Sequence, residues 1–112
     1  MKIYHNPHCK KSRAGLAYLE EKTNDFKLIN YIKEGISKEE LEEIISKTGL
    51  SAEALIRKQE EAYKNDIKDK NLSDTELIMA IAENPKLLKR PIIIKDEKAV
   101  WADPPENLNK IL

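Results

Sequence analysis

Apolar residues fall along this chain in short bursts, and the spacing inside each burst names an element. Ile3 and Tyr4, within the run Lys2 to His5, make a short strand of the buried kind that Pro7 ends. Leu16, Tyr18 and Leu19 then recur at intervals of about three to four, with Glu20, Glu21 and Lys22 opposite, which predicts an amphipathic helix. Thr23-Asn24-Asp25 breaks it, and Phe26 to Tyr31 (FKLINY) reads as a second strand. Strand, helix and strand in succession form a βαβ unit, which implies parallel pairing and a right-handed crossover.

The middle of the chain follows the helical period. Ser37-Lys38-Glu39-Glu40 is a capping box, Leu41, Ile44 and Ile45 form the core face behind it, and Gly49 stops the helix. Ser51 opens a further short helix, SAEALIRKQ, which presents Arg57. Glu60 to Asn71 is almost wholly polar and reads as a solvated connection, helical in part. Ser73-Asp74-Thr75-Glu76 is a second capping box, with the stripe Leu77, Ile78, Ile81 after it and Asn84-Pro85 as its end. Ile92-Ile93-Ile94 returns to strand-forming residues, Asp96-Glu97 is a turn, and Ala99-Val100-Trp101 is the returning strand of a hairpin. Pro104-Pro105 can open a closing helix over Glu106 to Leu112. The order is βαβ, helices, ββα. It predicts one α/β domain over residues 1–112, a four-stranded mixed sheet with a helical insertion at about 37–84.

Charge and composition narrow the function. Twenty basic and twenty acidic side chains cancel, so no general pull towards nucleic acid or an acidic surface is expected. No stretch approaches the roughly 20 apolar residues of a membrane span, and the start, MKIYHNPH, lacks the apolar core of a signal peptide. A cytoplasmic protein, and a monomer, is expected. A single cysteine allows no internal disulfide, so any disulfide must be made with another molecule. His5, His8 and Cys9 crowd into one turn without a fourth ligand, and no metal site is expected.

That cysteine stands where a strand hands over to a helix. Free backbone N–H groups and the positive end of the helix dipole meet there, and Lys10, Lys11 and Arg13 add full charges. Such a junction stabilises a thiolate or an oxyanion beside it, so Cys9 reads as a reactive thiol rather than a small buried hydrophobe. His5, at the strand end, is placed to influence its ionisation, and His8 reads as solvent-facing. Ser12 is a candidate helix cap, with the helix start at or near Cys9. Arg57 and Arg90 each read singly as solvated or ion-paired; together with a helix N-terminus, two planar guanidinium groups would suit a tetrahedral oxyanion. Whether they converge is beyond sequence spacing. Arg90-Pro91 is a candidate cis peptide. Trp101 reads as a hairpin packing residue.

Taken in order, Y-H-N-P-H-C-K-K-S-R, A-L-I-R-K, K-R-P-I-I-I and D-P-P-E resemble the glutaredoxin-coupled arsenate reductases of the ArsC/Spx group over nearly the whole chain. The resemblance implies a thioredoxin-like fold with a helical insertion and a cis Pro91. It implies that Cys9 is the nucleophile, that Arg57 and Arg90 hold arsenate, that His5 tunes the thiol, and that Ser12 matches a serine of the active-site loop. It implies no bound cofactor, with glutathione or a similar thiol as reductant and glutaredoxin as partner. One position departs from the pattern: where the family carries a third oxyanion arginine, before the late proline, this chain has Asp103. Two other readings compete. One is an Spx-type redox regulator that binds RNA polymerase, although Cys9-Lys10-Lys11-Ser12 lacks the second cysteine of its usual switch. The other is a general glutathione-linked thiol oxidoreductase.

Overall fold

The computed structural model describes residues 1–112. Its sheet is built from β1 (Lys2–His5), β2 (Lys27–Asn30), β3 (Ile92–Lys95) and β4 (Lys98–Trp101) in the spatial order β2-β1-β3-β4. β1 and β2 run parallel, with Lys2 opposite Lys27 and His5 opposite Asn30. β3 lies antiparallel to β1 and to β4. The sheet is therefore mixed and four-stranded, as the element order predicts. The β3–β4 turn places Asp96 at a φ of 55°, a left-handed conformation that a short polar side chain tolerates.

Strand side chains alternate between the two faces. Ile3 and Ile93 point to one side, where they meet Leu19 of α1 (Lys10–Lys22), Leu108 and Ile111. Tyr4, Ile92 and Ile94 point to the other, into the larger core. That core is covered by α2 (Tyr31–Glu34), α3 (Lys38–Thr48), α4 (Glu61–Asp66) and α5 (Asp74–Glu83). Both expected capping boxes form: Ser37 with Glu40 starts α3, and Ser73 with Glu76 starts α5. Gly49 closes α3 with a φ of 73°, accessible to glycine without steric cost.

Several boundaries differ from the periodicity, each for a stated reason. The second strand is shorter than Phe26–Tyr31, because the Asn30 side chain accepts a hydrogen bond from the Lys33 N–H and turns the chain into α2 at Tyr31. The helix expected from Ser51 is one 3-10 turn, Glu53–Leu55. Beyond it Ile56 is extended and pairs with Leu88 in an isolated antiparallel bridge, so long-range pairing overrides local propensity. The closing helix is also 3-10, over Pro105–Lys110. The Arg90–Pro91 bond is cis, as expected, and Asp103–Pro104 is cis as well. No helix is long and apolar enough to cross a membrane.

Candidate active site

The site begins at the carboxyl end of β1. His5, Asn6 and Ser12 are all buried there. The Asn6 side chain accepts from the His8 N–H at 3.0 Å and its carbonyl accepts from the Cys9 N–H at 3.1 Å. Arg13 Nη1 reaches back to the Pro7 carbonyl at 2.9 Å. These contacts fold Asn6–Cys9 into a tight loop whose last residue is the N-cap of α1. His8 is exposed, as the sequence reading has it.

Ser12 is not a cap. It lies within the first turn of α1, fully buried, with its hydroxyl turned under the loop. Ser12 Oγ accepts from the Asn6 N–H at 3.0 Å and hydrogen-bonds His5 Nδ1 at 2.8 Å. Local rules favour serine at a helix start, but a helix start carrying cysteine at the cap leaves the hydroxyl free for burial. Burial chiefly holds His5 below its ordinary range, the hydrogen bond to Ser12 acts in the opposite sense, and the Arg13 charge adds to the lowering. The imidazole is therefore neutral near pH 7.

Cys9 is partly exposed. Burial pushes its thiol up, but hydrogen bonding from the Arg90 guanidinium and from the Ser12 and Lys11 backbone outweighs this, and the thiol lies below its ordinary range. The largest favourable contribution comes from a side chain 81 positions further along the chain, which no local reading of the junction includes. Arg90 is held from several sides. Its Nη1 donates to the Lys86 carbonyl at 3.1 Å, and its own carbonyl accepts from Trp101 Nε1 at 3.1 Å. Trp101 is thus more than a packing residue, since it clamps the backbone that carries Arg90. Arg90 Nε is the one buried side-chain nitrogen or oxygen without a hydrogen-bond partner.

Arg57 arrives through the bridge of Ile56 with Leu88. Its N–H donates to the Leu87 carbonyl at 2.7 Å, and the Lys89 N–H donates to the Leu55 carbonyl at 2.8 Å. Two short segments, each bearing one arginine, are so locked side by side. Arg57 Nε is ion-paired with Glu60 at 3.1 Å. Tyr31 is wholly buried; burial pushes its phenol up, and the charges of Arg90, Arg57 and Cys9 all act on it.

Two residues of this arrangement escape a reading of the sequence. Tyr31 looks there like the last residue of a strand. Gly15 sits in the interior of α1, where a Cβ would run into Pro91 Cγ and lie 3.3 Å from the Ala102 carbonyl oxygen. Glycine lets the helix that bears Cys9 rest directly on the Arg90–Pro91 segment. Its signal was available, because glycine inside a helix is costly and usually marks a close approach. Asp103 is partly buried, with its carboxylate 3.3 Å from Lys11 Nζ in the first turn of α1.

Known proteins fit this geometry. The sequence profile of the ArsC family matches residues 4–111. A protein of Neisseria meningitidis serogroup A named arsenate reductase is 39% identical over 114 residues, covering 100% of this chain and 97% of the relative. One of that name from Haemophilus influenzae is 40% identical, covering 98% and 97%. The solved structure of an arsenate reductase from Vibrio cholerae superposes with a TM-score of 0.93 at 41% identity, covering 100% of this chain and 98% of that one. With the mixed sheet, the helical insertion and the Cys9 junction, these place the chain in the thioredoxin-like fold as a member of the ArsC family.

Proposed function

We propose that this protein is an arsenate reductase whose nucleophile is Cys9 and whose oxyanion ligands are Arg57, Arg90 and the first backbone N–H groups of α1. The observation that carries the proposal is the unpartnered buried Nε of Arg90, the arginine whose charge acts on Cys9. The guanidinium favours the thiolate and keeps one buried N–H donor, Nε, unpaired. An unpaired buried donor is unfavourable by about 1–3 kcal/mol, and an oxyanion bound against Cys9 would satisfy it. The names of the relatives favour an enzyme over a regulator of the Spx type.

In this mechanism the Cys9 thiolate attacks arsenic(V), an S–As bond forms, and one oxygen leaves as water after protonation. Arg57 and Arg90 offset the charge of the remaining oxygens through charge-assisted hydrogen bonds. An external thiol, glutathione or a similar small thiol, then joins its sulfur to Cys9 as the S–As bond breaks. Two thiol sulfurs are oxidised to one disulfide, and their two electrons pass to arsenic, which departs as arsenite. Glutaredoxin returns the mixed disulfide on Cys9 to the thiol. One cysteine suffices, because the second sulfur comes from outside. His5 and Ser12 support the loop beneath the nucleophile without touching the substrate. Asp103, paired with Lys11, leaves the anion with two arginines where the family pattern supplies three.

The test is NADPH-coupled arsenate reduction with glutathione, glutathione reductase and glutaredoxin, with Cys9→Ser as control. Turnover that vanishes in the variant is expected. Absence of turnover in the native chain, with Cys9 still readily alkylated, would overturn the arsenate reductase reading and favour a general thiol oxidoreductase or a regulator.

A further inference from the structure

Tyr31 is the buried polar group at the site that the mechanism above does not use. Its parallel neighbours explain how it gets there: Asn30 lies opposite His5 in the β1–β2 register, so the residue after β2 emerges beside the loop after β1. The ring is wholly buried in the larger core. Packing alone would be served as well by phenylalanine, and a buried phenol needs a polar partner. Tyr31 Oη donates to the Leu88 carbonyl at 3.3 Å.

The choice of that carbonyl is informative. Leu88 is the bridge partner of Ile56, the residue before Arg57, and itself lies two positions before Arg90. One hydroxyl hydrogen therefore pins the backbone from which both arginines project. The charges of both arginines act on the phenol, that of Arg90 more strongly than that of Arg57. Burial dominates and pushes the phenol up to about 12, even though both arginines pull it down, so the group stays protonated and able to donate throughout the working pH range. The other fully buried tyrosine, Tyr4, gives its hydroxyl to the Glu40 carboxylate at 3.0 Å, a tie to α3 away from the arginines.

We propose that Tyr31 is a positioning residue of the anion site: its hydroxyl, donating to the Leu88 carbonyl, holds the bridged backbone that carries the two arginines in place against Cys9. The proposal rests on the Cys9, Arg57 and Arg90 site described above. It does not require that the oxyanion be arsenate.

The experiment is a double-variant cycle on Tyr31→Phe and Arg90→Ala, read by the pH dependence of Cys9 alkylation with iodoacetamide. Tyr31→Phe keeps the ring and removes one oxygen. Its alkylation midpoint is expected to rise, with the rate at pH 7 falling about three- to tenfold, the effect of a weakened charge-assisted hydrogen bond. In the Arg90→Ala background the same change should have almost no effect, since Tyr31 acts through that arginine. An unchanged midpoint in Tyr31→Phe, or independent losses that multiply in the double variant, would overturn the proposal. Should Tyr31→Phe melt below the assay temperature, its alkylation is read at about 4 °C in a stabilising osmolyte, beside the native protein under the same conditions. A rise in midpoint supports the proposal, and an unmoved midpoint overturns it. Arsenate turnover is measured on the same proteins. Lack of turnover in the native chain would refute the arsenate reading and leave the alkylation result for Tyr31 standing.

Discussion

Replacing Ser12 by alanine deletes one oxygen from beneath the Cys9 loop, and the structure allows its cost to be worked out. The hydroxyl is fully buried and serves two buried partners, the Asn6 N–H at 3.0 Å and His5 Nδ1 at 2.8 Å. Alanine leaves both without a partner and admits no water. Each orphaned group costs about 1–3 kcal/mol; with partial relaxation of the loop the sum is about 2–4 kcal/mol. At about 4 °C per kcal/mol for a domain of this size, the thermal midpoint should fall by about 8–16 °C. Ser37→Ala is the matched control. Its hydroxyl caps the exposed Glu40 N–H at 3.1 Å, a contact worth about 1 kcal/mol, or roughly 4 °C. Melting both variants by circular dichroism, beside the native protein, isolates the effect of burial from that of losing a serine. Cys9 should also alkylate more slowly at pH 7 in Ser12→Ala, because the loop and first turn that stabilise its thiolate are loosened. A loss at Ser12 no larger than that at Ser37 would refute the reasoning, and the hydroxyl could not then be the support of the loop.

Three other expectations follow from the same contacts. Gly15→Ala, normally stabilising inside a helix by about 0.5–1 kcal/mol, should instead destabilise by about 1–3 kcal/mol, because the new methyl group meets the Pro91 ring; a denaturant midpoint at or above the native value would contradict this. His5 is held below its unfolded value of about 6.5, so the unfolded chain takes up the proton first as pH falls. Stability should therefore decline below about pH 6.5 until the folded imidazole titrates, and be unaffected by this group at higher pH. His5→Gln should flatten the dependence of the urea midpoint between pH 7.5 and 5.5, with exposed His8→Gln as the comparison; an unaltered slope in His5→Gln would count against a neutral buried imidazole. Asp103→Arg should lower the KM for arsenate about tenfold or more by restoring a third cation beside the first turn of α1, and an unchanged KM would mean that position 103 does not face the anion.

Much of this molecule can be read from local signals. The two capping boxes, the glycine stop at Gly49, the Asp96 turn and the placement of Cys9 at a strand-to-helix junction all depend on residues within a few positions of one another. Side-chain hydrogen bonds to nearby backbone and the steric limits of φ set such features, and neither needs the rest of the chain. Where local propensity met a tertiary demand, it lost. The apolar run before Arg57 has helical spacing, yet Ile56 is extended because Leu88 offers it a strand partner. Ser12 has a capping preference, yet it is drawn inward by His5 and Asn6.

The chain alone thus determines most of the elements, their order and the placement of Cys9 at a strand-to-helix junction, since each is a matter of short-range periodicity, capping and charge. The joining of the segments that carry Arg57 and Arg90 is decided only in three dimensions. Arg57 and Arg90 stand 33 positions apart, their segments are joined by one backbone bridge, and Tyr31 from a third segment hydrogen-bonds the Leu88 carbonyl of that bridge. No rule of spacing encodes that meeting. It follows from which side chains fill the larger core, and from the close approach of α1 to Pro91 that the missing Cβ of Gly15 permits.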